Sequence, residues 1–127
     1  MGAVHFKHYG NFKYSEEFLK KNKRINITPI LEKYGALGVK ALQVVTPIRT
    51  GKTMASWRYE ITSKNGSSEI AWINDNKSER GEVIVLLLEY GHATKNGYYI
   101  KPRHFVEEAI TPVIEKLAED VWKEVSA

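Results

Sequence analysis

No cysteine occurs in the 127 residues, which excludes a disulfide scaffold, a cysteine-based zinc site and a thiol nucleophile. Long apolar runs are missing too. The longest, Val83 to Leu88, falls far short of the ~20 residues that cross a bilayer. The stretch Met-Gly-Ala-Val-His-Phe-Lys-His lacks the apolar centre of a signal peptide, and Phe6 stands where a myristoylation signal after Gly2 has Ser or Thr. The expectation is a protein that is cytoplasmic at synthesis and uses no membrane. Charge of one sign is scarce: 19 basic against 15 acidic side chains leave +4. Phosphate-binding proteins usually show a clustered basic excess. The only dense cluster, Lys20, Lys21, Lys23 and Arg24, reads first as a solvated helix end and second as a nucleic-acid contact. Internal repeats and long linkers are absent. What remains, 43% hydrophobic and 27% charged residues, describes one globular domain over residues 1–127.

Val4 and Phe6 alternate before a turn at Tyr9-Gly10-Asn11, which suggests a short strand. Ser15 then resembles an N-cap, with Glu16 and Glu17 at the positive end of the dipole and Tyr14 and Leu19 as a staple. A helix over Ser15 to Asn22 is expected. A longer helix starts at Thr28-Pro29, with Thr28 as cap, and stops at Pro47; Ile30, Tyr34, Leu37, Ala41 and Val45 form its expected buried stripe. Gly35 and Gly38 inside it cost up to about 1 kcal/mol each against Ala. They read as places where another backbone comes close.

Trp57, Tyr59 and Ile61 alternate with polar residues at strand period, and Asn65-Gly66 is a strong hairpin signal. A two-residue turn pairs Ile61 with Ile70 and Tyr59 with Trp72 on one face. Asp75 to Gly81 reads as an exposed loop. Val83 to Tyr90 is strand or helix, with Gly91 suited to a helix C-cap. Thr94 to Gly97 reads as a loop tip and Tyr98-Tyr99-Ile100 as a short strand. An apolar stripe from Phe105 to Val125, including Trp122, predicts a final helix, kinked at Pro112 or broken there with Thr111 as a new cap. Glu119 and Lys123 make an i,i+4 pair on it. The expected fold is α+β: an antiparallel sheet built on a central β-hairpin, packed against a long helix from the N-terminal half and a C-terminal helix.

Chemical motifs are sparse. Thr50-Gly51-Lys52-Thr53 imitates the end of a P-loop, but Thr46 stands where the first glycine belongs, and a helix precedes where a strand is required. His5 and His8 point to opposite faces of a strand. His92 and His104 flank the Asn96-Gly97 loop, with no cysteine and no acid at ligand spacing. Ser56 or Ser78 with His92 and Glu89 lacks a nucleophile elbow. Glu16-Glu17 and Glu107-Glu108 fall near expected helix starts, where the dipole explains them. The expectation is no catalytic residue, no metal and no cofactor. Trp57, Trp72 and Trp122 read as core, and Tyr90, Tyr98 and Tyr99 as candidates for a protein contact.

From Thr46 to Trp57 the chain resembles the small neck or tail-completion proteins of tailed bacteriophages, often labelled minor capsid or minor tail components. Their Pro-x-x-Thr-Gly-(basic) segment leading to Ser and a first strand is matched by Pro47, Thr50, Gly51, Lys52 and Ser56. A second block, an acidic or amide residue, an aromatic, Gly and His or Thr, then a glycine loop, an aromatic and a helix, is matched by Glu89-Tyr90-Gly91-His92, Asn96-Gly97, Phe105 and Ala109. The likeness runs over about residues 1–125. It departs at Glu108, where many members carry proline.

The resemblance implies a structural virion protein of the head-tail junction, made in the host cytoplasm. Its copies would form a homo-oligomeric ring, hexamer or dodecamer, between a head-side connector and the tail terminator or tube. DNA would pass through the lumen without sequence-specific binding. Contacts are then expected from the loops 46–55 and 91–101, through Arg49, Thr50, Lys52, Tyr90, His92, Tyr98 and Tyr99. Arg49 and Lys52 would pair with acids of a neighbour or face lumenal DNA. Two other readings stand beside this one: a tail terminator capping the tube, and a small DNA-binding or regulatory protein using Lys20 to Arg24.

Overall fold

The computed structural model describes residues 4–7, 12–19, 26–46, 51–64, 67–93, 97–100 and 104–126. Its organising element is the hairpin legible in the sequence. Arg58–Lys64 (β3) pairs antiparallel with Ser67–Asn74 (β4), setting Tyr59 opposite Trp72 and Ile61 opposite Ile70. Lys64 lies opposite Ser67, which leaves two residues for the turn; Asn65 and Gly66 themselves lie outside the described residues. The strand starts at Arg58, so Trp57, the first residue of the expected alternation, is buried just before it.

Among the described residues this sheet has four strands. Val4–Lys7 (β1) is the short strand expected, although its turn at Tyr9-Gly10-Asn11 lies outside the described residues. Phe12–Leu19 (β2) is a strand, not the helix expected over Ser15 to Asn22. Ser15 caps nothing: it sits mid-strand opposite Ala71, and Tyr14 lies opposite Trp72. Non-local pairing overrides the local helix signals, because β2 runs against β4 along its whole length. The order β1-β2-β4-β3 makes β4 internal, and Ile70 through Asn74 are all buried.

Thr28–Val45 (α1) begins and ends where Thr28 and Pro47 suggested, but Thr28 is its first helical residue rather than its cap; Ile27 holds the cap position, and Asn26 Oδ1 accepts the Thr28 N–H at 3.1 Å. The buried stripe is also rotated from the expected one. Leu31, Tyr34, Gly35, Gly38 and Leu42 face inward, whereas Leu37 and Val45 are exposed. The glycines explain the rotation. A Cβ at Gly38 would lie 2.6 Å from Trp72 Cε2, and one at Gly35 2.7 Å from Tyr59 Cε2. What comes close is therefore a pair of rings from the hairpin, not another backbone. The Trp72 indole N–H also donates to the Gly35 carbonyl at 3.0 Å, so a buried polar atom is satisfied by the same close approach.

After the one-turn helix Lys52–Ala55 (α2) come β3 and β4. Val83 to Tyr90 resolves as a helix, Ile84–Tyr90 (α3), with Gly91 as its C-cap at φ +75°. His92–Ala93 (β5) and Tyr99–Ile100 (β6) pair as a two-stranded ladder, and Thr94 to Asn96 of the expected loop tip lie outside the described residues. Phe105–Ser126 (α4) runs unbroken through Pro112, so Thr111 is not a cap; its hydroxyl donates to the Glu107 carbonyl one turn back at 2.6 Å.

The fold is the α+β arrangement expected, an antiparallel sheet with α1 across β3 and β4 and α4 against α1; among the described strands the hairpin stands at one side of the sheet, β4 internal and β3 at the edge. Ile27, Leu31, Leu42, Ile70, Trp72, Val85, Val106, Ile110 and Leu117 form one fully buried cluster drawn from these elements. Tyr34 joins the two long helices by donating its hydroxyl to Asp120. Trp122 does not belong to this core: it is an exposed residue of α4.

Candidate functional site

Two joints carry the residues singled out in the sequence. The first follows α1. Thr46 is buried, and its hydroxyl donates to the Leu42 carbonyl at 2.5 Å while accepting the Trp57 indole N–H at 2.8 Å. Gly51, at φ +77°, opens α2 in a left-handed conformation that a residue with a Cβ adopts only under strain. Thr53 then turns inward. Its hydroxyl donates to Asn76 Oδ1 at 2.6 Å, and its carbonyl accepts from Asn74 Nδ2 at 2.8 Å. The Asn76 N–H donates back to Asn74 Oδ1 at 3.1 Å, and the Asn76 carbonyl accepts the Ile84 N–H at the start of α3. Buried polar groups that satisfy one another in this way fix a single geometry. Of the expected loop 46–55, the described residues place Thr46 and Thr53 inside and 52–55 in a helical turn, and Asn76 makes the expected loop 75–81 partly internal.

The P-loop likeness ends here as well. Thr53, whose hydroxyl would ligate the phosphate-bound metal ion in such a loop, donates that hydroxyl to Asn76, and α1 rather than a strand precedes the turn.

The second joint is Glu89. It is the last residue but one of α3, almost wholly buried, and its Oε1 accepts the Val106 N–H at 2.9 Å while Oε2 accepts the Glu107 N–H at 3.3 Å. These are free amides of the first turn of α4, so a carboxylate from another helix caps this one and meets the positive end of its dipole. Burial raises the Tyr90 phenol above its ordinary value, and the nearby Glu89 and Glu107 carboxylates add to the shift.

His104, Glu89 and Glu107 bring one imidazole and two carboxylate donor atoms within 4.8 Å of one another. Histidine with carboxylates is a donor set that transition metals accept. Both Glu89 oxygens, however, already accept helix amides. The distance arises because the cap draws residue 89 to the start of α4, a proximity that sequence spacing did not reveal.

The expected contact residues divide between the two joints. Lys52 is exposed on α2. Tyr90, at 42% exposure, ends α3, and Tyr98, at 72%, precedes β6. His92 and Tyr99 belong to the ladder, where His92 lies opposite Ile100 and Ala93 opposite Tyr99. Arg49 and Thr50 lie outside the described residues, as do Pro47 and the cluster from Lys20 to Arg24. The structure therefore gathers Tyr90, His92, Tyr98 and Tyr99 around one short hairpin. Lys52 is tied through Thr53 and Asn76 to the opposite end of α3.

The imagined serine nucleophiles serve the backbone. Ser56 donates to the Lys52 carbonyl at 2.7 Å, and Ser78 Oγ accepts the Glu82 N–H at 3.3 Å. The sequence reading missed Glu89, Asn74 and Asn76 as organising residues. An acid at the end of a wholly apolar run was the available signal, since a buried carboxylate needs donors.

No protein-family model matches the chain, and neither a curated protein nor a solved structure is significantly similar to it.

Proposed function

We propose that this chain is a structural virion protein of the head-tail junction, one subunit of a ring that joins or completes the tail at the neck. The observation that carries the proposal is the position of the two sequence blocks that resemble neck and tail-completion proteins. The first, Pro47 to Ser56, leads from the end of α1 through the Gly51 turn into the hairpin, and its partner residues Thr46, Thr53 and Trp57 are buried and hydrogen-bonded. The second, Glu89 to Ala109, contains the buried carboxylate that caps α4 and the exposed tyrosines beside the β5–β6 hairpin. Rigid joints that present short loops suit a subunit whose work is contact with neighbours.

In this reading Tyr90 and Tyr98 supply aromatic contact area, and Lys52, with Arg49 and Thr50, meets acids on an adjoining subunit or the head-side connector. Heterologous contacts that close by rotation generate rings. No chemistry is assigned to the chain. Immunogold labelling of particles that carry an affinity-tagged copy tests the placement. Label at the junction between head and tail supports it, and label along the tube, on the head or on no particle overturns it.

A further inference from the structure

The outward faces of α1 and α4 carry complementary patterns. On α1, Lys33, Leu37, Lys40 and Val44 recur at helical spacing opposite the buried stripe of Leu31, Gly35, Gly38 and Leu42. Leu37 is 43% exposed and Val44 84%, so one apolar side chain stands in water between two cations and a second follows them. On α4, Glu108, Pro112, Glu115, Glu119 and Trp122 recur at helical spacing opposite Val106, Ile110, Leu117 and Val121. Trp122 is 60% exposed at the far end of a row of three acids. The two faces are opposite in sign and each holds apolar surface, the combination that marks a protein contact more than a solvated helix face.

Their periods also agree. Lys33 and Lys40 are two turns apart, about 10.5 Å, as are Glu108 and Glu115. Leu37 sits between the lysines and Pro112 between the glutamates. Whichever way the helices run, the register that pairs the charges sets Leu37 against Pro112.

Resting on the ring proposed above, we infer that the α1 face of one copy seats against the α4 face of the next copy. The occupant is a second copy of this chain because the complementary surface is the chain's own. A contact between two different faces is heterologous, and repeated around a closed circle it makes a ring.

The absence of native cysteine permits a direct test on the purified full chain. Leu37→Cys protein mixed with Pro112→Cys protein should give a disulfide-linked heterodimer on oxidation. Its yield should exceed about tenfold that of Leu37→Cys with Thr62→Cys, an exposed position on β3. Adding Lys33→Glu and Lys40→Glu to the Leu37→Cys chain should cut the yield about tenfold, and Glu108→Lys with Glu115→Lys in the partner should restore it. Circular dichroism checks that each variant is folded, and the first comparison needs no charge reversal at all. Equal yields for Pro112→Cys and Thr62→Cys overturn the contact. The two readings fail separately: the cross-link without label at the neck leaves the contact and removes the neck assignment, and label at the neck with equal yields does the reverse.

Discussion

Glu89 Oε1 accepts the backbone N–H of Val106 at 2.9 Å, so the end of α3 holds the start of α4. The two residues are 17 apart in sequence and both are buried. The bond ties the helix that ends in Tyr90 to the long C-terminal helix. A charged group accepting a backbone amide is worth about 1.5–3 kcal/mol.

Glu89→Ala removes that acceptor, leaves two amides of the first turn without it and opens a cavity. Urea unfolding should show a loss of about 2–4 kcal/mol. Glu89→Gln keeps one carbonyl acceptor and the shape, and should lose about half as much.

Gly38→Ala puts a methyl group against the Trp72 indole, a fully buried ring held by its hydrogen bond to the Gly35 carbonyl. Overpacking of this kind costs about 1–3 kcal/mol, read as a lower denaturation midpoint with an unchanged slope. Gly51→Ala tests a different mechanism, since nothing lies within 4 Å of an added Cβ there and φ is +77°. Its cost of about 1 kcal/mol should come from backbone strain alone.

The hydrogen bond to Asp120 is the largest influence raising the pKa of the Tyr34 phenol above the ordinary tyrosine value, followed by desolvation and the charges of Asp120 and Glu119. A raised folded-state value means that the stabilisation is fully present below pH 10 and is lost as pH climbs through the folded-state value. Thermal midpoints measured from pH 9 upward should fall in this window. Tyr34→Phe should start lower at neutral pH and fall less steeply above pH 10, with the remaining slope partly from Tyr90, whose phenol is also raised. Parallel curves for the two proteins would refute the assignment.

Replacing Lys20, Lys21, Lys23 and Arg24 together with serine should leave particle assembly and infectious titre unchanged if the chain serves as a ring subunit. The purified protein should also show no DNA affinity with a log–log salt slope of several units. Such a slope, abolished by the quadruple substitution, would instead favour a free DNA-binding protein.

The hairpin was legible because its information is local. Asn65-Gly66 and the alternation of Tyr59, Ile61, Ile70 and Trp72 set the same register, and the strands adopt it. β2 was not, because Ser15-Glu16-Glu17 carries every local sign of a helix start while its partner, β4, lies more than fifty residues on. The face of α1 was misread by about one residue because apolar periodicity gives no weight to Gly35 and Gly38, the points where Tyr59 and Trp72 dock. The apolar stripe of the last helix suggests a buried Trp122, yet it lies on the side of α4 away from Leu117 and Val121. Of the candidate contact residues, Tyr90 and Tyr98 were singled out because they flank a loop, and both are exposed beside the β5–β6 hairpin. The Glu89 cap was hidden because its partners are backbone amides, which no side-chain pattern reports.

Electron microscopy of the lysate after deletion of the gene bears most directly on the head-tail assignment. The account predicts DNA-filled heads beside separate tails of normal length, which complementation by the intact chain rejoins. Normal infectious particles would contradict it, and tails of uncontrolled length would move the chain to the end of the tube.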